Sequence, residues 1–146
     1  MLNASNLCAW GTGAMRDTEA MKERVKQGYD GVFSDHVSHY DEVGTKLQLK
    51  SATEQLKDED VRGKLALDIG CGTGVASLLM LQRGAAKVVC GDISEQMLSR
   101  ARANAEREGF GPERIEFRQL DAEALPFGDG SFDVVSTSMT MGLLSD

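Results

Sequence analysis

The stretch LALDIGCGTG, residues 65–74, decides the fold. Leu65 to Ile69 is a short, mostly apolar run, and Gly70, Cys71, Gly72, Thr73 and Gly74 lead it into the apolar helical segment VASLLMLQRG, residues 75–84. A strand that turns through glycines into a helix brings backbone amides and a helix N-terminus up to a ligand, and glycine permits close approach because no Cβ collides. Such a loop does not by itself name the ligand. The dinucleotide fingerprint needs G-x-G-x-x-G, whereas Val75 follows Gly74 and the spacing is G-x-G-x-G, which counts against NAD.

Outward from this loop toward the C-terminus, the chain alternates apolar runs with helical segments. KVVCGD (87–92) is followed by SEQMLSRARANAEREG (94–109), then RIEFRQL (114–120) and FDVVSTS (132–138). The order is strand, helix, strand, helix, strand, loop, strand. Continuous apolar strands joined by crossover helices predict a parallel sheet of the α/β class, buried on both faces. Gly84 and Gly109 stand where a left-handed residue closes a helix, and Ser94 stands at an N-cap with Glu95 in the first turn.

Toward the N-terminus the pattern differs. MLNASNLCAWGT shows neither helical nor strand period, so residues 1–13 read as a flexible arm, 14–63 as a helical cover and 64–146 as the core. Within the cover, Met15 to Tyr29 predicts a partly buried helix with Met15, Met21 and Val25 inward. Gly28, Gly31, Gly44 and the run DHVSHYDE predict an irregular or briefly helical segment over 28–44. Lys46 to Val61 predicts an amphipathic helix with Leu47, Ala52, Leu56 and Val61 inward.

Composition limits the function. A chain of 146 residues, 41% hydrophobic and 27% charged, has the make-up of one soluble domain. Its net charge of -7 and the lack of a Lys/Arg stripe disfavour nucleic acid and an anionic membrane surface as partners. Cys8, Cys71 and Cys90 are widely spaced with no CxxC, which predicts free thiols in a reducing compartment rather than disulfides or a metal site. With no basic n-region, and no apolar window near the roughly 18 residues of a membrane span, the expected location is cytoplasmic, without membrane insertion.

Chemistry gathers at three strand ends. Asp68 closes the first strand, Asp92 follows the second at 22 positions beyond Gly70, and Asp121 follows the third. Asp92 is read either as an acceptor for both hydroxyls of a ribose or as a capping residue before Ser94. Three adjacent carboxylates repel one another unless a ligand's hydroxyl, amine or cationic groups bind there. Cys71, beside a helix N-terminus, is a candidate for a lowered thiol pKa, but no partner for a catalytic dyad is placed with it. Trp10 and Phe33, and likewise Met97, Met139 and Met141, are read as substrate contacts or as packing.

Taken together, LALDIGCGTG, VVCGDISEQML and RQLDAEALPFGDGSFDVV resemble the motif series of class I S-adenosylmethionine-dependent methyltransferases, over residues 64 to about 141, more than half the chain. Small-molecule and quinone-type C-methyltransferases are the most similar subgroup. The resemblance implies a Rossmann-like parallel sheet with flanking helices, S-adenosyl-L-methionine as cofactor and a small-molecule methyl acceptor. It implies that Gly70, Cys71 and Gly72 lie along the methionine part, with Asp68 orienting the ammonium and Asp92 holding the ribose hydroxyls. Ile93 and Met97 pack near the adenine, Asp121 accepts from its amino group, and the Ala122 amide faces a ring nitrogen. Ser138 sits by the transferred methyl. Tyr40, with Asp41, resembles a recurring Tyr-Asp pair in a segment that closes over the cofactor. His36 and His39 in that segment are candidates for a general base, should the accepting atom need one, and no metal is required.

The family continues its sheet beyond the fourth strand, where this sequence stops. The expectation is therefore an incomplete class I fold: a fragment, or a chain whose fourth-strand edge is covered by a second copy or a partner. Two further readings remain open: a non-catalytic nucleotide-binding module that keeps the cofactor loop, and an NAD-dependent oxidoreductase, against which the missing third glycine stands.

Overall fold

The computed structural model describes residues 18–35 and 37–137. Two helices, α1 (Thr18–Asp35) and α2 (Val37–Gln55), precede an α/β unit of β1 (Leu65–Ile69), α3 (Val75–Gln82), β2 (Lys87–Asp92), α4 (Glu95–Arg107), β3 (Ile115–Gln119) and β4 (Val134–Thr137). The strands lie in the order β3-β2-β1-β4, and every described pairing is parallel. The alternation read from residue 65 onward is thus the observed fold, a Rossmann-like sheet. The expected arm, Cys8, Trp10, Met15, His36, Ser138, Met139 and Met141 lie outside the described residues.

The side-chain period of two divides the central strands between two cores. Ala66, Val88, Cys90 and Ile115 face α3 and α4, packing with Met80, Leu81, Leu98, Ala101 and Ala105. Leu67, Val89 and Leu120 face the other way, where Leu125, Phe127 and Phe132 from the segment after β3 close over them. The expectation of strands buried on both faces holds for β1 and β2. It does not hold for β4, an outer strand of the described sheet whose Val135 is 58% exposed.

Helix ends follow the local chemistry. Ser94 Oγ accepts the Met97 N–H at 3.2 Å, the N-cap expected of it. Gly74 heads α3 at φ 86°, and a Cβ there would stand 3.2 Å from Ala101 Cβ. A side chain at that position would be strained by backbone and neighbour alike, which is why the loop closes on glycine as it enters the helix.

The N-terminal expectations need correction. The described residues of 28–44 are helical rather than irregular: α1 runs on to Asp35 through Gly28 and Gly31, and Gly44 lies inside α2. A glycine costs a helix about 1 kcal/mol against alanine, and here the surrounding helix formers and the ties of α1 to the sheet outweigh that. Met21 and Leu47 are exposed rather than inward, whereas Ala52, Leu56 and Val61 are buried as expected. Among the described side chains of α2, Ala52 near its C-terminal end is the one in the core. Leu56 follows that helix, and its carbonyl accepts from the Arg83 guanidinium at 2.5 Å.

Candidate functional site

The register of the sheet carries the first two carboxylates to one end. Asp68 pairs with Cys90 across β1 and β2, and Asp92 lies opposite Gln119 at the end of β2 and β3. From there the Leu120 N–H donates to the Asp92 carbonyl at 2.9 Å, bringing Asp121, the next residue, to the neighbouring tip. The three acids picked out in the sequence therefore do stand at three adjacent strand ends.

Asp92 joins that row to the glycine loop. Its Oδ2 accepts the Gly72 N–H at 2.8 Å and its Oδ1 the Ser94 N–H at 2.9 Å. Burial pushes the carboxyl upward in pKa, while the N–H groups of Ser94, Gly72 and Ile93 pull it back. Asp92 thus braces the entry to α4 and also crosses to the loop after β1. Each carboxylate oxygen accepts more than one bond, so hydroxyl donors can still be taken.

Asp68 lies deeper, 1% exposed on the face that meets α3. Ser77 Oγ donates to its Oδ2 at 2.7 Å and lies 3.0 Å from Cys90 Sγ. Among the described residues its Oδ1 has no hydrogen-bond partner, nor does Ser136 Oγ, which stands at the paired position of β4 and whose hydroxyl favours the charged form. Burial raises the Asp68 pKa to about 6, with Ser77 opposing. An acid kept there at such a cost marks the place as a candidate site.

Over the loop there is room. A Cβ at Gly72, where φ is 54°, would meet no atom of the described residues within 4 Å beyond its own chain neighbours. Open space above a loop amide, a buried carboxylate oxygen without a partner and a half-buried acid bonded to that loop suit a ligand bearing an ammonium and vicinal hydroxyls. The residues present fit S-adenosylmethionine on these observations.

The other predicted positions are placed as follows. Gly70 has a φ of 67°, and Ile93 is half-buried with its carbonyl accepting Gln119 Nε2 at 2.9 Å. Met97 is buried at 6% exposure, packing inward from α4. Ala122 is half-buried beside Asp121, whose Oδ1 accepts the Glu123 N–H at 2.9 Å. His39 and Tyr40 lie within α2, their side chains outside the description. The lowered pKa envisaged for Cys71 is corrected: its bond to Cys90 comes first in raising the thiol, and burial adds to it. No group of metal-ligating side chains occurs among the described residues.

Four participants escaped the sequence reading. Ser77 and Ser136 had a signal, each a hydroxyl in an otherwise apolar element. Lys22 and Asp30 had none, for they reach the site from α1. Lys22 Nζ lies 2.6 Å from Asp121 Oδ2, 99 residues away, and Ser94 Oγ donates to Asp30 Oδ1 at 2.5 Å.

Comparison with known proteins gives one concordant picture. Residues 66–146 match the family described as a methyltransferase domain. Over 126 residues the chain is 34% identical to a demethylmenaquinone methyltransferase of Lactococcus lactis, covering 82% of this chain and 48% of that protein. It is 33% identical over 104 residues to a ribosomal protein L11 methyltransferase of Photobacterium profundum, covering 71% and 34%. Among solved structures, magnesium protoporphyrin IX methyltransferase from Synechocystis with bound S-adenosylhomocysteine superposes with a TM-score of 0.62 at 25% identity, covering 80% of this chain and 57% of that one. The chain spans less than half the length of these curated relatives.

Proposed function

The chain belongs to the class I S-adenosylmethionine-dependent methyltransferases, and from that premise we propose that it binds S-adenosylmethionine across the tips of β1, β2 and β3 and serves methyl transfer to a small-molecule acceptor. The observation that carries the reading is the bond from the Gly72 N–H to Asp92, which ties the ribose acceptor to the loop along which the methionine part would run.

When bound, the cofactor supplies a methyl group on a sulfonium, already activated for displacement. The protein's work is then to bind, orient and exclude water. Asp92 would accept from both ribose hydroxyls, with Ile93 and Met97 flanking the adenine and Asp121 and Ala122 meeting its polar edge. Gly70, Cys71 and Gly72 would present backbone to the methionine part. Asp68, below them, would orient the ammonium, and its unpartnered Oδ1 supports that role. Ser138 would stand by the methyl and Tyr40 within the covering segment. Where the accepting atom must lose a proton, His36 and His39 are the bases proposed.

The acceptor is proposed as a small molecule because the demethylmenaquinone methyltransferase match covers more of the chain than the ribosomal-protein one. A reducing, cytoplasmic setting suits Cys71 and Cys90, both free and buried. No described helix is long and apolar enough to cross a membrane.

Titration calorimetry tests the reading against its alternatives. We expect S-adenosylmethionine and S-adenosylhomocysteine to bind at micromolar levels and NAD not to bind; binding of NAD alone, or of none of the three, overturns it. Binding without turnover on any small acceptor would favour a non-catalytic module.

The outer position of β4 in the described sheet, with Val135 exposed, also supports a second copy or a partner chain along that strand. Light scattering should then show an oligomer. A cooperatively folded monomer that binds no hydrophobic-surface dye contradicts this.

A further inference from the structure

Helix α1 is fastened to the strip proposed for the adenosine. At one end Lys22 Nζ meets Asp121 Oδ2 at 2.6 Å and Glu123 Oε2 at 2.8 Å, with Glu19 Oε1 farther off at 3.6 Å. At the other end Asp30 takes the Ser94 hydroxyl at 2.5 Å. The two ties reach the tips of β3 and β2, so the helix lies across both.

Each oxygen of the Asp121 carboxylate already holds one donor, so an incoming amine must share an oxygen rather than find one empty. Asp121 Oδ1 holds the Glu123 N–H at 2.9 Å, within its own turn, and Oδ2 holds Lys22. Lys22, Asp121 and Glu123 side chains are 21%, 32% and 25% exposed, so this ion pair is less screened than a surface one. The bond to Asp121 comes first, and that to Glu123 second, in raising the Lys22 pKa. The ammonium is therefore charged at any working pH. A charged donor out-competes a neutral aromatic amine for one carboxylate oxygen.

We propose that Lys22 is a latch on the adenine subsite, holding Asp121 Oδ2 in the ligand-free chain and giving it up when a nucleobase amino group is accepted there. The proposal rests on the reading that Asp121 receives the adenine. Glu123 supplies the resting place: Lys22 can leave Asp121 and keep Glu123, so the helix shifts its grip and need not unfold. A protein whose binding-competent state is only part of the population shows an affinity reduced by that fraction, so the latch weakens cofactor binding and its loss strengthens it.

Calorimetry with S-adenosylhomocysteine on the whole chain and on Lys22→Met, at about 20 mM and about 300 mM NaCl, reads the effect. Methionine keeps the helix propensity and the length of the side chain. The variant should bind about fivefold tighter at low salt, the size expected for loss of a part-buried ion pair. The unaltered chain should tighten as salt rises until the two converge. Amide exchange over Thr18–Asp35 without ligand should be faster in the variant. Equal or weaker binding by the variant overturns the latch, as does affinity in the unaltered chain that falls with salt. Faster exchange with unchanged affinity also overturns it, leaving the ion pair a structural tie. If neither protein binds S-adenosylhomocysteine, the cofactor reading itself has failed; if both bind equally, only the latch has.

Discussion

Replacing Asp92 with alanine is expected to weaken S-adenosylhomocysteine binding by about a hundredfold or more. Two hydrogen bonds from ribose hydroxyls to a charged acceptor are each worth about 1.5–3 kcal/mol, and every 1.4 kcal/mol is a factor of ten. The same change leaves the N–H groups of Gly72 and Ser94 without their acceptor, so part of any loss would come from a slackened loop. A ligand lacking the 2′-hydroxyl separates the two effects. The unaltered protein should discriminate against it strongly and the variant hardly at all. Unchanged affinity in the variant would return Asp92 to bracing α4, and asparagine is no useful control, since its amide would point a donor at one of two backbone donors.

The second large effect concerns stability. Asp68 has its folded-state pKa raised from 3.8 to about 6, chiefly by burial. A raised acid holds in the folded state a proton that the unfolded chain releases, so its contribution falls as pH climbs from about 4 to about 6 and stays unfavourable above that. The cost at neutral pH is about 2–3 kcal/mol. Asp68→Asn removes the charge, lets the Ser77 hydroxyl keep an acceptor, and gives Ser136 Oγ a donor to meet. Urea unfolding should show the variant more stable by about 2 kcal/mol at pH 7 and nearly equal to the parent at pH 4. A variant less stable at pH 7, or one with the parent's pH profile, contradicts the assignment. Such a gain would mean that the carboxylate is retained for something other than folding, as the proposed ammonium contact requires.

These two acids also show how far the sequence could be read. The alternation of strands and helices and the glycine loop were legible because LALDI and KVVCGD are short, mostly apolar runs, RIEFRQL alternates apolar and polar residues, and helices of regular punctuation lie between them. That made the acids at their ends visible as a row. What stayed hidden came from distance and from local compromise. Lys22 and Asp121 meet across 99 residues, and no periodicity links a surface helix to a strand tip that far along the chain. The glycines of the 28–44 segment signalled a break, yet α1 and α2 run through them, since propensity is a weak prior once a helix is tied down elsewhere. Leu47 looked inward by spacing alone, yet it is exposed while Ala52, one turn and more along α2, is buried. Cys71 looked reactive for its place before a helix, but the neighbouring Cys90 raises its pKa.

The central claim is that three neighbouring strand tips and the loop after β1 form one adenosyl site. A crystal structure of the chain grown with S-adenosylhomocysteine tests it most directly. The account predicts the ribose on Asp92, the adenine edge against Asp121 and Ala122, and the amino acid part along Gly70 to Gly72 above Asp68. A ligand bound anywhere else, or those tips bare at saturating concentration, would contradict it.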